Sequence, residues 1–144
     1  MKRISFNPRF VNKAGNNLIA GKIHTIRQNY IFWKRFEGRD VALFTWEGKP
    51  YRSKQIIFCV KKIMNVQEIE VDQLCVQGIH LNFYFQGKRI KRSLIAVNDG
   101  FKIKNYNEFK AEKELLLWFE NNKYKSGKMA IIHFTDFKYG GNKK

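Results

Sequence analysis

The chain has 144 residues, enough for one domain to bury a core without disulfide staples, and 44% hydrophobic with 15% aromatic content marks a folded protein. Lysine and arginine number 28 against 12 acidic residues, a formal charge of +16. Each half carries 14 basic and 6 acidic residues, so the basicity belongs to the whole fold and suits a polyanionic partner, nucleic acid first.

Apolar runs such as Leu115–Phe119 are far too short to span a bilayer, and Met1–Phe6 has a positive start but no apolar signal core. A cytoplasmic protein without a membrane partner is expected. Cys59 and Cys75 lack CxxC spacing and lie in apolar surroundings, so they read as buried reduced thiols, with no metal or cofactor expected.

Taken in order, Ile4 and Phe6 alternate with polar residues and predict a short first strand. Asn7-Pro8 is a helix start, and Phe10, Val11, Ala14, Leu18 and Ile19 approximate a helical stripe that Gly21 would cap. A strand follows through Arg27. The stretch Gln28–Gly38 reads as a loop in which Tyr30, Phe32, Trp33 and Phe36 interleave with Lys34 and Arg35. That mixture suits single-strand binding, with rings for bases and cations for phosphates, and equally suits a plug for a barrel mouth.

Val41–Trp46 reads as a buried strand, Glu47–Pro50 as a turn, and Tyr51–Val71 as a long β-rich stretch. Strand signals recur at Leu74–Val76 and Ile79–Phe85, and Gln86-Gly87 turns the chain into the basic run Lys88–Arg92. Asn98-Asp99-Gly100 is a turn. Asn105 and Glu108 have capping-box spacing ahead of a helix bearing Phe109, Leu115, Leu116 and Phe119, which Asn121 stops. Met129–Phe137 is the last strand, and the basic tail is expected to fray. About six strands and two helices predict an α+β, mainly β domain over residues 1–139, a small partly open barrel with flanking helices and a tail at 140–144.

The chain is organised around Gly21–Arg27. In a strand, Thr25 and Arg27 share one face and His24 and Ile26 the other, with Lys22 just before them. A hydroxyl, an ammonium and a guanidinium then converge near one strand end, with phosphate- or carbonyl-sized reach. The plainer reading is a basic edge strand wetted by solvent. His24, His80 and His133 read as satisfied core histidines, although His24 inside this stretch could face a phosphate.

The pattern Gly21-Lys22-x-x-Thr25-Ile26-Arg27, followed by Gly38–Val41, Tyr51-Arg52-Ser53, Ile95–Phe101 and Ile132–Thr135, resembles the ASCH family of small PUA-like domains over roughly residues 8–139. The resemblance implies the same barrel and a basic cleft that binds RNA or a modified nucleoside. Together with the aromatic-basic loop, and with Asn98 as a possible reader of a base edge, the expected ligand contacts are Lys22, His24, Thr25, Arg27, Trp33, Lys34, Arg35, Arg52, Asn98 and Asp99. Some bacterial ASCH members are amidohydrolases acting on acylated cytidine. Carried over by position, their trio falls on Lys22 as base, Thr25 as nucleophile and Asp99 where they have Glu. A lysine can be a base only if burial or cationic neighbours depress its pKa, and the shorter Asp loses about 1.5 Å of reach.

Overall fold

β-branched and aromatic residues cluster in short runs bounded by Gly, Asn and Pro, and those runs become the strands of two sheets. The computed structural model describes residues 1–75, 79–101, 108–121 and 126–140. In chain order they form β1 (Arg3–Ser5), β2 (His24–Gln28), α1 (Tyr30–Lys34), β3 (Asp40–Trp46), β4 (Gln55–Lys62) and β5 (Asn65–Cys75). There follow β6 (Ile79–Phe85), β7 (Lys88–Ile90), α2 (Arg92–Asn98), α3 (Glu108–Asn121) and β8 (Gly127–His133).

The fold is α+β and mainly β. A three-stranded sheet runs β1-β3-β4, with β1 parallel to β3, and a five-stranded antiparallel sheet runs β2-β8-β5-β6-β7. The two edge strands β1 and β2 are bridged by Arg27, whose Nη2 donates to the Ser5 carbonyl at 2.6 Å. Ile26, Leu43, Ile69, Leu81 and Phe83 fill the core from the sheets with Ile63 from the β4–β5 turn, and Ile95, Leu115 and Phe119 close it from α2 and α3. Gln86 and Gly87 both take positive φ (50° and 78°), the two-residue turn that the β6–β7 hairpin twist requires. Among the described residues no helix is long and apolar enough to cross a membrane.

Among the described residues, eight strands and three α-helices stand where about six strands and two helices were read from the sequence. The helix expected from Asn7 to Ala20 shrinks to a 3₁₀ turn at Pro8–Phe10, capped by Asn7 Oδ1 accepting from Arg9 N at 2.9 Å. Asn12 then competes for the backbone: its Oδ1 accepts from the N–H groups of Asn16 (3.0 Å) and Asn17 (3.2 Å). The chain doubles back so that Val11 bridges Leu18, and Phe10 and Leu18 reach the core without a helix.

The Gln28–Gly38 loop contains α1, capped by Asn29. Ile95–Val97, to which the sequence reading assigned no element, lie on α2. β4 begins at Gln55, and β8 stops at His133 rather than Phe137. The basic run Lys88–Arg92 is divided, because Arg92 starts α2 and donates to the Leu81 carbonyl at 2.8 Å. Cys59 is half-buried rather than buried, on the edge strand β4. Val76, Ile103, the Asn105 capping position, the tail from Gly141, and the side chains of Cys75, His80 and Phe109 lie outside the described residues.

Candidate functional site

Two backbone devices bring the Lys22 stretch and Asp99 together although they are 77 residues apart. The first is the entry to β2, where Ile23 N donates to the Asn98 carbonyl at 2.8 Å. The second is the end of α2, where Phe101 N reaches the Ala96 carbonyl (3.0 Å) and Gly100 N the Val97 carbonyl (3.1 Å). That is a Schellman cap, and Gly100 at φ +93° is its left-handed residue. A Cβ on Gly100 would stand 3.0 Å from Cβ and Cδ of Lys22, so the glycine also makes room for the lysine stem.

Lys22 Nζ donates to the Asp99 carbonyl at 2.6 Å and lies 3.4 Å from Oδ1, with both side chains 2% exposed. The ammonium also sits 4.3 Å from the Phe10 ring centroid. Burial draws its pKa down to about 8, Asp99 opposes that, and the Arg27 guanidinium adds to it. The amine is therefore partly neutral near physiological pH.

Behind Asp99 runs a line of buried polar groups. His24 Nδ1 lies 3.1 Å from Asp99 Oδ1, and Nε2 lies 2.7 Å from the Tyr139 hydroxyl, which accepts from Asn98 Nδ2 at 3.1 Å. A carboxylate only accepts, so the Asp99 contact places a ring proton on Nδ1, while Nε2 faces the Tyr139 hydroxyl. Burial holds the Tyr139 phenol above its usual range, keeping it a donor. Gln67 fixes the Tyr139 backbone: Oε1 accepts from its N–H (2.9 Å) and Nε2 donates to its carbonyl (2.8 Å). Gln67 Oε1 also accepts from His133 Nε2 at 2.7 Å, and burial pushes the His133 pKa down to about 3.

Lys22, Thr25, Arg27 and Asp99 line one cleft of about 560 Å³. Its other walls include Phe6, Phe10, Trp46, Tyr51 and Trp118. Tyr51 is 90% exposed, holds a left-handed φ of 62°, and sets its ring 5.2 Å from Trp46. A bulky residue in that conformation costs about 1–3 kcal/mol, a strain of the kind found at binding sites. The shorter Asp99 reaches Lys22 without the methylene that Glu would add.

The other residues expected here lie elsewhere. His24 is fully buried behind Asp99, and Asn98 holds Tyr139 instead of facing a base. Arg52 is exposed beyond the cleft, in the turn where its N–H bonds the Lys49 carbonyl. α1 turns Trp33 against the core and into a neighbouring cavity. Lys34 pairs with Glu37 at 2.9 Å and lines a different cavity, and Arg35 lies 5.7 Å from the Phe32 ring. Sequence reading missed Trp46, Trp118 and Tyr139, and only the Trp46–Gly48 strand end hinted at an aromatic beside a turn. Compared with known proteins, the chain matches no family model, no curated protein and no solved structure.

Proposed function

We propose that this chain is an ASCH-type, PUA-like module that binds RNA or a modified nucleoside in the Lys22–Asp99 cleft. One observation carries the reading: Lys22, Thr25, Arg27 and Asp99 line the same aromatic-walled cleft. Its volume falls in the range of about 300–1,000 Å³ typical of small-ligand sites. Arg27 suits an anionic oxygen, Thr25 and the Lys22–Asp99 pair offer donors and acceptors for a base or sugar, and Trp46, Tyr51 and Trp118 offer ring faces. In the same reading the facing edges of β1 and β2 are the opening of a PUA-like barrel.

The test is a titration of short single-stranded RNA and of cytidine, read by the fluorescence of Trp46 and Trp118. Arg27→Ala should weaken binding at least tenfold, and Lys13→Ala, an exposed charge outside the cleft, by less than twofold. Equal losses would reduce the protein to a generic polyanion binder.

The depressed Lys22 pKa favours a second reading, deacylation of acylated cytidine. A neutral Lys22 amine would take the proton of Thr25 as its hydroxyl attacks the acyl carbon and return it to the amine as the C–N bond breaks, after which water hydrolyses the Thr25 ester and releases the acid. The contacts described for Nζ are with Asp99 and the rings of Phe10 and Phe6, so binding stands first. Turnover retained in Thr25→Ser and lost in Thr25→Ala would reverse that order.

A further inference from the structure

The cleft does not end at Tyr51. A second cavity of about 510 Å³ adjoins it, and Ser5, Arg27, Trp46 and Tyr51 line both. Beyond that shared wall the second cavity's lining includes Lys2, Arg3, Trp33 and Gln55, and among the described residues no acidic side chain lines it. Arg3 is steadied by a neutral partner, Nη1 donating to Gln55 Oε1 at 2.8 Å, so its charge is held in place without being cancelled. Lys2 Nζ lies 5.6 Å from the Trp33 ring centroid.

Resting on the reading of the first cleft, we propose that the two cavities are consecutive subsites of one groove. The groove takes single-stranded RNA of at least two nucleotides, not a free nucleoside. One base enters beside Lys22 and Trp118, Arg27 lies at the phosphodiester between subsites, and the next nucleotide rests against Trp33 with its phosphate near Lys2 and Arg3. Cations and ring faces alternate along this path, from Lys22 and Trp118 through Arg27, Trp46 and Tyr51 to Arg3 and Trp33. A single strand presents that same alternation of phosphate and base. An acidic peptide would satisfy the cations but has no ring at each step to use three tryptophans.

The experiment titrates cytidine 5′-monophosphate and the RNA dinucleotide CpC, also 5′-phosphorylated, at one salt concentration. It compares the intact protein with Lys2→Ala/Arg3→Ala and with Arg27→Ala. The dinucleotide should bind the intact protein at least tenfold more tightly than the mononucleotide. The double variant should lose that advantage while keeping its mononucleotide affinity and its melting temperature. If mononucleotide and dinucleotide bind equally well to the intact protein, the second subsite is refuted and the first cleft stands. If neither binds, or Arg27→Ala changes neither affinity, the first cleft fails as well. Displacement of the dinucleotide by oligoglutamate at equal charge concentration would overturn the choice of RNA.

Discussion

Gly100 and Gly21 form a matched pair that isolates one contact. Their φ values are +93° and +92°, so alanine suffers nearly the same backbone strain at either, about 1–2 kcal/mol. Their surroundings differ. A Cβ at Gly21 meets nothing within 4 Å, whereas one at Gly100 meets the Lys22 stem at 3.0 Å. Lys22 is 2% exposed in its side chain and tied to the Asp99 carbonyl at 2.6 Å, so it can yield only by giving up that bond. A hydrogen bond from a charged donor is worth about 1.5–3 kcal/mol. Gly100→Ala should therefore cost about 2 kcal/mol more than Gly21→Ala, lowering the melting temperature by roughly a further 5 °C. Urea and thermal unfolding followed by circular dichroism measure both. In a Lys22→Gly background the excess should vanish, since every side-chain atom of the clash, Cβ included, is gone. Equal losses for the two glycine variants, or an excess that survives removal of Lys22, would refute the claim that Gly100 is small for the sake of the lysine.

Lys22 itself should shape stability in base. Its folded pKa of about 8 lies below the unfolded 10.5, so the unfolded chain holds the extra proton between those values and stability from this group rises across that window, by about 3 kcal/mol in total. Lys22→Met should flatten the rise, and an unchanged slope in the variant would remove Lys22 as its source. His133 should act in acid: its pKa of about 3, against 6.5 unfolded, means stability is lost as pH falls from about 6.5 toward 3. His133→Gln should lose that slope, and the acid unfolding midpoint checks it. Tyr139→Phe removes the hydroxyl shared by His24 and Asn98 and should cost about 1–3 kcal/mol, with RNA binding weakened through a loosened Asp99. A variant as stable as the parent would show that the hydroxyl does not hold the line of polar groups together.

Legibility followed the range of the interactions. The hairpin turn at Gln86-Gly87 and the strand Asp40–Trp46 are written in local residue types, and the sequence reading found both. The pairing of Thr25 with Arg27 was also readable, because period-two alternation puts them on one face, whereas Lys22 precedes β2 and is joined to them in the cleft by the fold. The Asn7 helix failed because Asn12 offered the backbone side-chain bonds that no helical stripe reveals. α2 was missed because Ile95-Ala96-Val97 is as good a strand as a helix, and only packing against α3 and β6 decides. Arg52 and Asn98 were assigned to a ligand because they fall within the family-like segments Tyr51-Arg52-Ser53 and Ile95–Phe101; the turn exposes one and Tyr139 occupies the other.

The line from Lys22 to Tyr139 has a consequence for how the protein is made. His24 meets its hydroxyl partner 115 residues later, and Lys22 meets Asp99 after 77. During synthesis at about 5–20 residues per second, β2 waits several seconds or longer for the residues that satisfy its buried side chains. A nascent chain that has emerged only through α3 can offer Asp99 to Lys22 and His24 but still lacks β8, the direct neighbour of β2, and the phenol behind His24. The edge of the molecule that carries the Lys22 cleft is thus the last part to settle, and until then β2 is a strand without its partner, the state in which a chaperone has most to shield.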